Sequence, residues 1–309
     1  MKRLILASLV FFIFTTAYCQ INLTDSSVQV ISYWKIHDTK KYQITENSFQ
    51  MEQLGDTTKF LKYNYTLNVE IVDTTAKSYT SKWAYTNLNI EKSWNPILEK
   101  LIALKNNLTL VVKTTEMGEF QELVNWEELS DSVLNRVALL KSTYKDQPEV
   151  MSVIEEFENK YISKESIVQL GFEEIPQFYT FHGQKFKLNE EYYDKEKCQS
   201  PYSPNLLDVD LVSYVSEINS SDDNSVLRAS RIINTKQLTD ATYDHLKKLA
   251  KNNGKTFSTN RIDFPLAINS NYISTRIEAS TGWVLFSIQN REYSVDKVLH
   301  INDKTIVEQ

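Results

Sequence analysis

The chain has 309 residues, 41% hydrophobic and 24% charged, with a formal net charge of −6 and no extended basic run. That balance argues against nucleic acid or an anionic membrane as a partner. Five Trp, 17 Tyr and 14 Phe suffice for a globular core, and the six glycines fall in turns or a helical stretch, leaving none for a phosphate-cradling loop.

The first residues, "MKRLILASLVFFIFTTAYCQ", set a basic start (Lys2, Arg3) before an apolar run from Leu4 to Phe14. This predicts an export signal over 1–19, cut between Cys19 and Gln20, where Ala17 and Cys19 supply small residues. The run is about half the roughly 20 residues needed to cross a bilayer as a helix, so no transmembrane anchor is expected. Tyr18 stands where lipidation of Cys19 requires a small residue, which argues against a lipoprotein. Cleavage leaves Cys198 as the lone cysteine, without a disulfide partner. This start, on a chain rich in Lys, Asn and Tyr, resembles exported proteins of the Bacteroidota. The resemblance implies the periplasm, the outer-membrane surface or the medium.

After a polar lead-in, residues 42–51 read as a strand, and Gly55 with Asp56 turns the chain. In "FLKYNYTLNVEIV" the odd positions Leu61, Tyr63, Tyr65, Leu67, Val69 and Ile71 are apolar or aromatic and the even ones polar, the period of a long half-buried strand. Tyr79, Trp83 and Tyr85 continue the pattern on the next strand, giving an antiparallel meander with one apolar face. The period then changes: Asn95 caps and Pro96 opens a helix with Ile97, Leu98, Leu101 and Leu104 on one stripe. A strand, a turn at Gly118 and a second strand follow.

Residues 125–183 form a helical insert. Asn125 and Glu128 have capping-box spacing, and Leu129, Val133, Val137, Leu140 and Tyr144 recur at steps of three and four. Pro148 opens a second helix, and a third is expected before His182. Residues 184–206, polar and carrying Pro201 and Pro204, read as a linker. A hairpin over 208–233, a helix ending at Gly254, a strand, a turn at Gly282 and a strand then repeat the earlier order. We therefore expect one β-rich domain over 20–309 made of two β-β-α-β-β halves, about 40–123 and 207–309, with a duplication as their origin.

Catalytic signals are sparse. The histidines at 37, 182, 245 and 300 are far apart in sequence, and His-x-x-x-His, Cys-x-x-Cys and Gly-x-Ser-x-Gly do not occur. No catalytic residue, metal site or cofactor is predicted. Cys198 reads as a free thiol, and Glu173–Glu174, Glu190–Glu191 and Asp222–Asp223 read as solvated acids. His182, before Gly183, reads as a helix C-terminal His where positive charge is favourable.

The aromatic faces are the candidate ligand-binding surface: Tyr63, Tyr65, Tyr79, Trp83 and Tyr85 from the first half, Trp283 and Phe286 from the second. Their bland role is packing against the helices. So many tyrosines, each needing a partner for its hydroxyl, suit a partly wet cavity.

The fold class expected is α+β, predominantly antiparallel β, a curved sheet or half-barrel around a central helical insert. This arrangement resembles the half-open barrels of periplasmic lipoprotein carriers, and the resemblance implies an acyl chain held between sheet and lid. The expected function is an exported, non-catalytic binding protein with a cavity for a lipid or other apolar or amphipathic molecule. The alternative is a structural or protein-interaction module of the cell envelope, with a filled core and an exposed apolar patch. An enzyme would instead bring acids or His182 together in a cleft with shifted pKa values.

Overall fold

The computed structural model describes residues 20–52, 57–200, 206–252 and 254–309. The expected export signal, the turn at Gly55 and Asp56, and Pro201 and Pro204 lie outside the described residues.

Short strands β1 (Ile21–Asn22) and β2 (Ser27–Gln29) precede the first half, which holds β3 (Thr39–Met51), β4 (Thr57–Thr75), β5 (Ser78–Lys92), helix α1 (Pro96–Ala103), β6 (Thr109–Thr115) and β7 (Phe120–Leu123). The period-two pattern of β4 does what its spacing dictates: Leu61, Tyr63, Tyr65, Leu67, Val69 and Ile71 are all buried on one face. At α1, the Asn95 side chain accepts from the Ile97 N–H at 3.0 Å and Pro96 occupies the first turn, as expected.

The insert holds α2 (Trp126–Tyr144), α3 (Pro148–Glu158), a tight turn over Asn159–Tyr161, α4 (Lys164–Ser166), a π-helical turn over Ile167–Gly171 and α5 (Glu174–Tyr179). Asn125 does not cap α2 through its side chain; it accepts from the Val111 N–H at 2.8 Å and donates to the Thr109 carbonyl at 3.0 Å. It stitches the helix to β6 instead.

The expected linker over 184–206 contains β8 (Lys185–Lys187) and β9 (Tyr192–Gln199). Both read as loop because β9 is an edge strand: Asp194, Lys195, Glu196 and Lys197 are exposed, the charged dressing that discourages edge-to-edge pairing. The second half follows as β10 (Leu206–Asn219), β11 (Asn224–Ile233), α6 (Thr235–Asn252), β12 (Ala267–Glu278), β13 (Val284–Val295) and β14 (Val298–Glu308).

Eleven strands form one antiparallel sheet in the order β7-β6-β5-β4-β3-β14-β13-β12-β11-β10-β9, and β1-β2-β8 form a small second sheet. The first half runs three strands, a helix and two strands, and the second runs two strands, a helix and three strands, each with sheet neighbours in chain order. The halves meet at the centre, where β14 pairs with β3 from Leu299↔Met51 to Glu308↔Tyr42.

The inner face of the sheet is covered. Val133, Val137, Ile154, Tyr161, Ile167, Phe172, Ile175, Phe178 and Phe181 of the insert region share one buried cluster with the inward residues of β3 to β6. The stretch before β3 closes one end of the sheet by crossing both glycine turns. Ser32 donates its N–H to the Met117 carbonyl at 3.2 Å, and Tyr33 donates to the Thr281 carbonyl at 3.0 Å. Gly118 (φ +90°) and Gly282 (φ +77°) make this passage possible, since a Cβ would come within 2.0 Å of Ser32 Oγ at the first and 2.3 Å of the Ile31 carbonyl oxygen at the second.

Candidate functional site

The seven aromatic residues separate into two groups and one outlier. Tyr63, Tyr65 and Tyr85 stack in series, with ring centroids 6.3 Å and 5.5 Å apart. Trp83 and Trp283 meet in another cluster, each edge-on to Phe178, with Trp283 stacked on Trp34 at 4.6 Å and Tyr79 edge-on to Trp34 at 5.4 Å. Phe286 belongs to neither group: its neighbours Ser287 and Gln289 point inward, and Phe286 itself is 38% exposed on the outer face.

The tyrosine series ends on a buried ion cluster at the seam between the halves. Tyr63 and Tyr65 donate to Glu46 on β3 at 2.5 Å and 3.2 Å, and Tyr85 donates to Glu174 of α5. Lys304 of β14 lies between, its Nζ 3.2 Å from Glu46, 3.1 Å from Glu174 and 3.9 Å from Glu173. Arg291 of β13 holds Glu173 at 2.6 Å. Gln177 of α5 donates to Ser287 Oγ at 3.0 Å and to the Lys304 carbonyl at 3.3 Å. One ion cluster thus joins both halves of the sheet to the insert.

Electrostatics keep these groups charged. Burial pushes Glu46 up, but the charges of Lys304 and Lys105 and the Tyr63 hydrogen bond outweigh it and hold the carboxyl at about 2. Burial likewise opposes Glu173, and Arg291 and Lys304 outweigh it, keeping its pKa low. Burial pulls Lys304 down, and Glu46, Glu174 and Glu173 more than reverse it. Tyr63, Tyr65 and Tyr85 are driven well above the ordinary phenol range, first by burial and then by the neighbouring carboxylates. They are hydrogen-bond donors here, not acids. Glu173 and Glu174, expected in solvent, are instead ion-paired at the seam, with Glu174 fully buried.

His182 is corrected as well. It is 2% exposed, its Nε2 lies 2.8 Å from the Gly282 carbonyl oxygen, and burial lowers its pKa to about 4, so it is neutral rather than a charged helix cap. Gly183 donates its N–H to the Val30 carbonyl, not to a helix carbonyl, so the pair fastens the closing stretch. Cys198 is a free, half-buried thiol, and no group of three or more His, Cys, Asp or Glu suited to a metal occurs among the described residues.

Two open concavities among the described residues lie away from the aromatic face. One, of about 550 Å³, includes Lys40, Lys41, Lys82 and Glu70; the other, of about 380 Å³, includes Lys195, Lys197, Asp208 and Asp210. None of the seven predicted residues lines either. Among the described residues no helix is long and apolar enough to cross a membrane.

The fold is that of an α+β protein built on one large antiparallel sheet with a helical insert. No protein-family model and no curated protein matches the chain. Among solved structures it is similar to a lipovitellin structure described by its lipid–protein interactions, with a TM-score of 0.42 and 8% identity over 89% of this chain and 25% of that one. The chain therefore spans about a quarter of that protein's length.

Proposed function

We propose that the protein is an exported, non-catalytic binding module of the cell envelope that works through its outer surface, its inner face being a core. One observation carries this reading: the aromatic face that a ligand would need is sealed, with Tyr63, Tyr65, Trp83, Tyr85 and Trp283 each no more than 6% exposed. An apolar ligand seated there would have to displace α5, whose Phe178 touches Trp83 and Trp283 and whose Glu174 is ion-paired to Lys304. The buried ion cluster supports a holding role rather than chemistry, because each carboxylate already faces a cation and a buried pair of this kind favours one arrangement over others.

Native mass spectrometry of the protein purified from its own envelope, followed by organic extraction, tests the reading. The expected result is a bare protein mass and no binding of a fluorescent fatty acid. A lipid or other apolar molecule at one copy per chain would overturn it and make the protein a carrier with the insert as its lid.

A further inference from the structure

We propose that the α6 end of the second half docks on an anionic lipid surface. Although the chain as a whole is acidic, residues 246–262 contain Lys247, Lys248, Lys251, Lys255 and Arg261 and no Asp or Glu. The four lysines are exposed and make no ion pair among the described residues. Arg261 is paired with Asp240, and Asp263 at the margin accepts from the Asn260 amide. Asp244, exposed one turn before Lys248 on α6, offsets part of this charge and leaves the lysines in excess.

Apolar side chains stand in the same place. Ile262 is 92% exposed, Leu266 62% and Leu249 41%. The segment that presents them is held, not loose: Phe257 and Phe264 each pack edge-on against Tyr243 with centroids 5.4 Å away, and Arg261 and Lys247 lie over the same ring at 5.0 Å and 5.9 Å. Tyr243 is itself buried in α6, whose Leu238 joins Leu207, Val209, Ile233 and Ala267 in a separate small core. Gly254 (φ +65°) turns the chain out of α6, and the Lys255 N–H closes onto the Ala250 carbonyl at 2.8 Å.

A fixed tip that combines protruding Ile and Leu with four exposed lysines matches the boundary of an anionic bilayer. The apolar ends enter the acyl region while the ammonium groups meet phosphate oxygens. A lone exposed isoleucine is ordinary on a protein surface; Ile262 gains weight here because Leu249, Leu266 and the lysines share this end of the molecule. The proposal goes beyond the binding-module reading and fails separately from it, because core filling and surface docking are measured differently.

Co-sedimentation of the purified protein with vesicles of phosphatidylcholine mixed with phosphatidylglycerol is the test. Binding is expected to the mixed vesicles and not to phosphatidylcholine alone, weakening as salt rises. The triple variant Lys247→Gln, Lys248→Gln, Lys251→Gln should bind on the order of 100-fold less tightly, about fivefold per lysine. Ile262→Ser with Leu266→Ser should weaken binding by roughly tenfold or more. All five positions are exposed and only Lys247, over the Tyr243 ring, gives up a contact, so melting curves should stay close to the parent. Lys195→Gln with Lys197→Gln, on the edge strand beside the opposite, N-terminal end of α6, should leave binding unchanged. Failure of the parent to sediment with anionic vesicles, or equal weakening by the edge-strand variant, would overturn the proposal.

Discussion

In the first half of the sheet, side chains are sorted by face with almost no exception: Leu67, Val69, Ile71, Trp83 and Tyr85 are at most 1% exposed, while Lys62, Asn64, Asn68 and Glu70 look outward. The second half, whose helix comes after two strands rather than three, sorts differently. Thr275, Ser287 and Gln289 are buried there beside Leu227, Ile277 and Val284, whereas Tyr272, Phe286 and Ile288 stand 38–45% exposed on the outside. The difference follows from what each inner face meets. The first half meets the apolar side of the insert, and the second meets polar groups of α5, with Gln177 reaching Ser287 and Ser287 bonded to Thr275 at 2.8 Å. The inner face is thus apolar along β4 and β5 outside the Glu46 cluster, and carries a hydrogen-bonded seat on β12 and β13.

The contrast can be broken most strongly at Trp83. Trp83→Ala should lower unfolding free energy by about 4 kcal/mol in a denaturant titration, by emptying the apolar half, whereas Ile288→Ser on the outer face should change it by no more than ~0.5 kcal/mol. Equal losses would show that the outer apolar residues of the second half are buried in solution. Next comes the seam. Lys304→Met leaves Glu46 and Glu174 without their shared cation and should cost about 3 kcal/mol, with α5 the first segment to lose amide-exchange protection. A smaller loss would mean that water or Lys105 replaces the lost charge.

The third effect is graded by pH. His182 has a folded pKa of about 4, below its unfolded value near 6.5, so the unfolded chain binds more protons between those values. Stability therefore declines as pH falls from about 6.5 to about 4, by up to ~3 kcal/mol, and Glu46 adds a further decline from about 4.5 to about 2. His182→Phe should flatten the first window and leave the second. An unchanged slope between pH 6.5 and 4 would remove His182 as its source.

The first half was legible because strict alternation leaves one arrangement for each strand, and the caps and turns around it agree. The insert was legible as helices around which the sheet curves, though not in its detail: the π-helical turn over Ile167–Gly171 and the burial of Glu174 carry no sequence signal. What escaped is polar: β9 looked like a linker because an edge strand wears charge on both faces, and Glu173 with Glu174 looked solvated because nothing nearby in sequence announces Lys304. A signal existed. On β3, Tyr42, Ile44 and Glu46 share the inward face, and on β14 Lys304 and Ile306 do, so each strand places one charged residue in line with apolar ones. Two such anomalies of opposite sign ask for each other, but strand order was needed to put them side by side. Phe286 was misplaced for a related reason: near a register shift between Arg276 and Ile277, a run of apolar residues does not reveal which of them faces inward.

The pairing of β14 with β3 also sets an order of events. The two strands at the centre of the sheet are separated by nearly the whole chain, so the halves cannot join until residues 298–308 have been made. Until then each half is a separate sheet with an open edge, β3 on one and β13 on the other. Such long-range closure is slow, and those two edges are where a partly made chain is exposed to pairing with a neighbour. Inward Glu46 and Lys304 place a charge on each strand of that late pair, which disfavours wrong partners until the right one arrives.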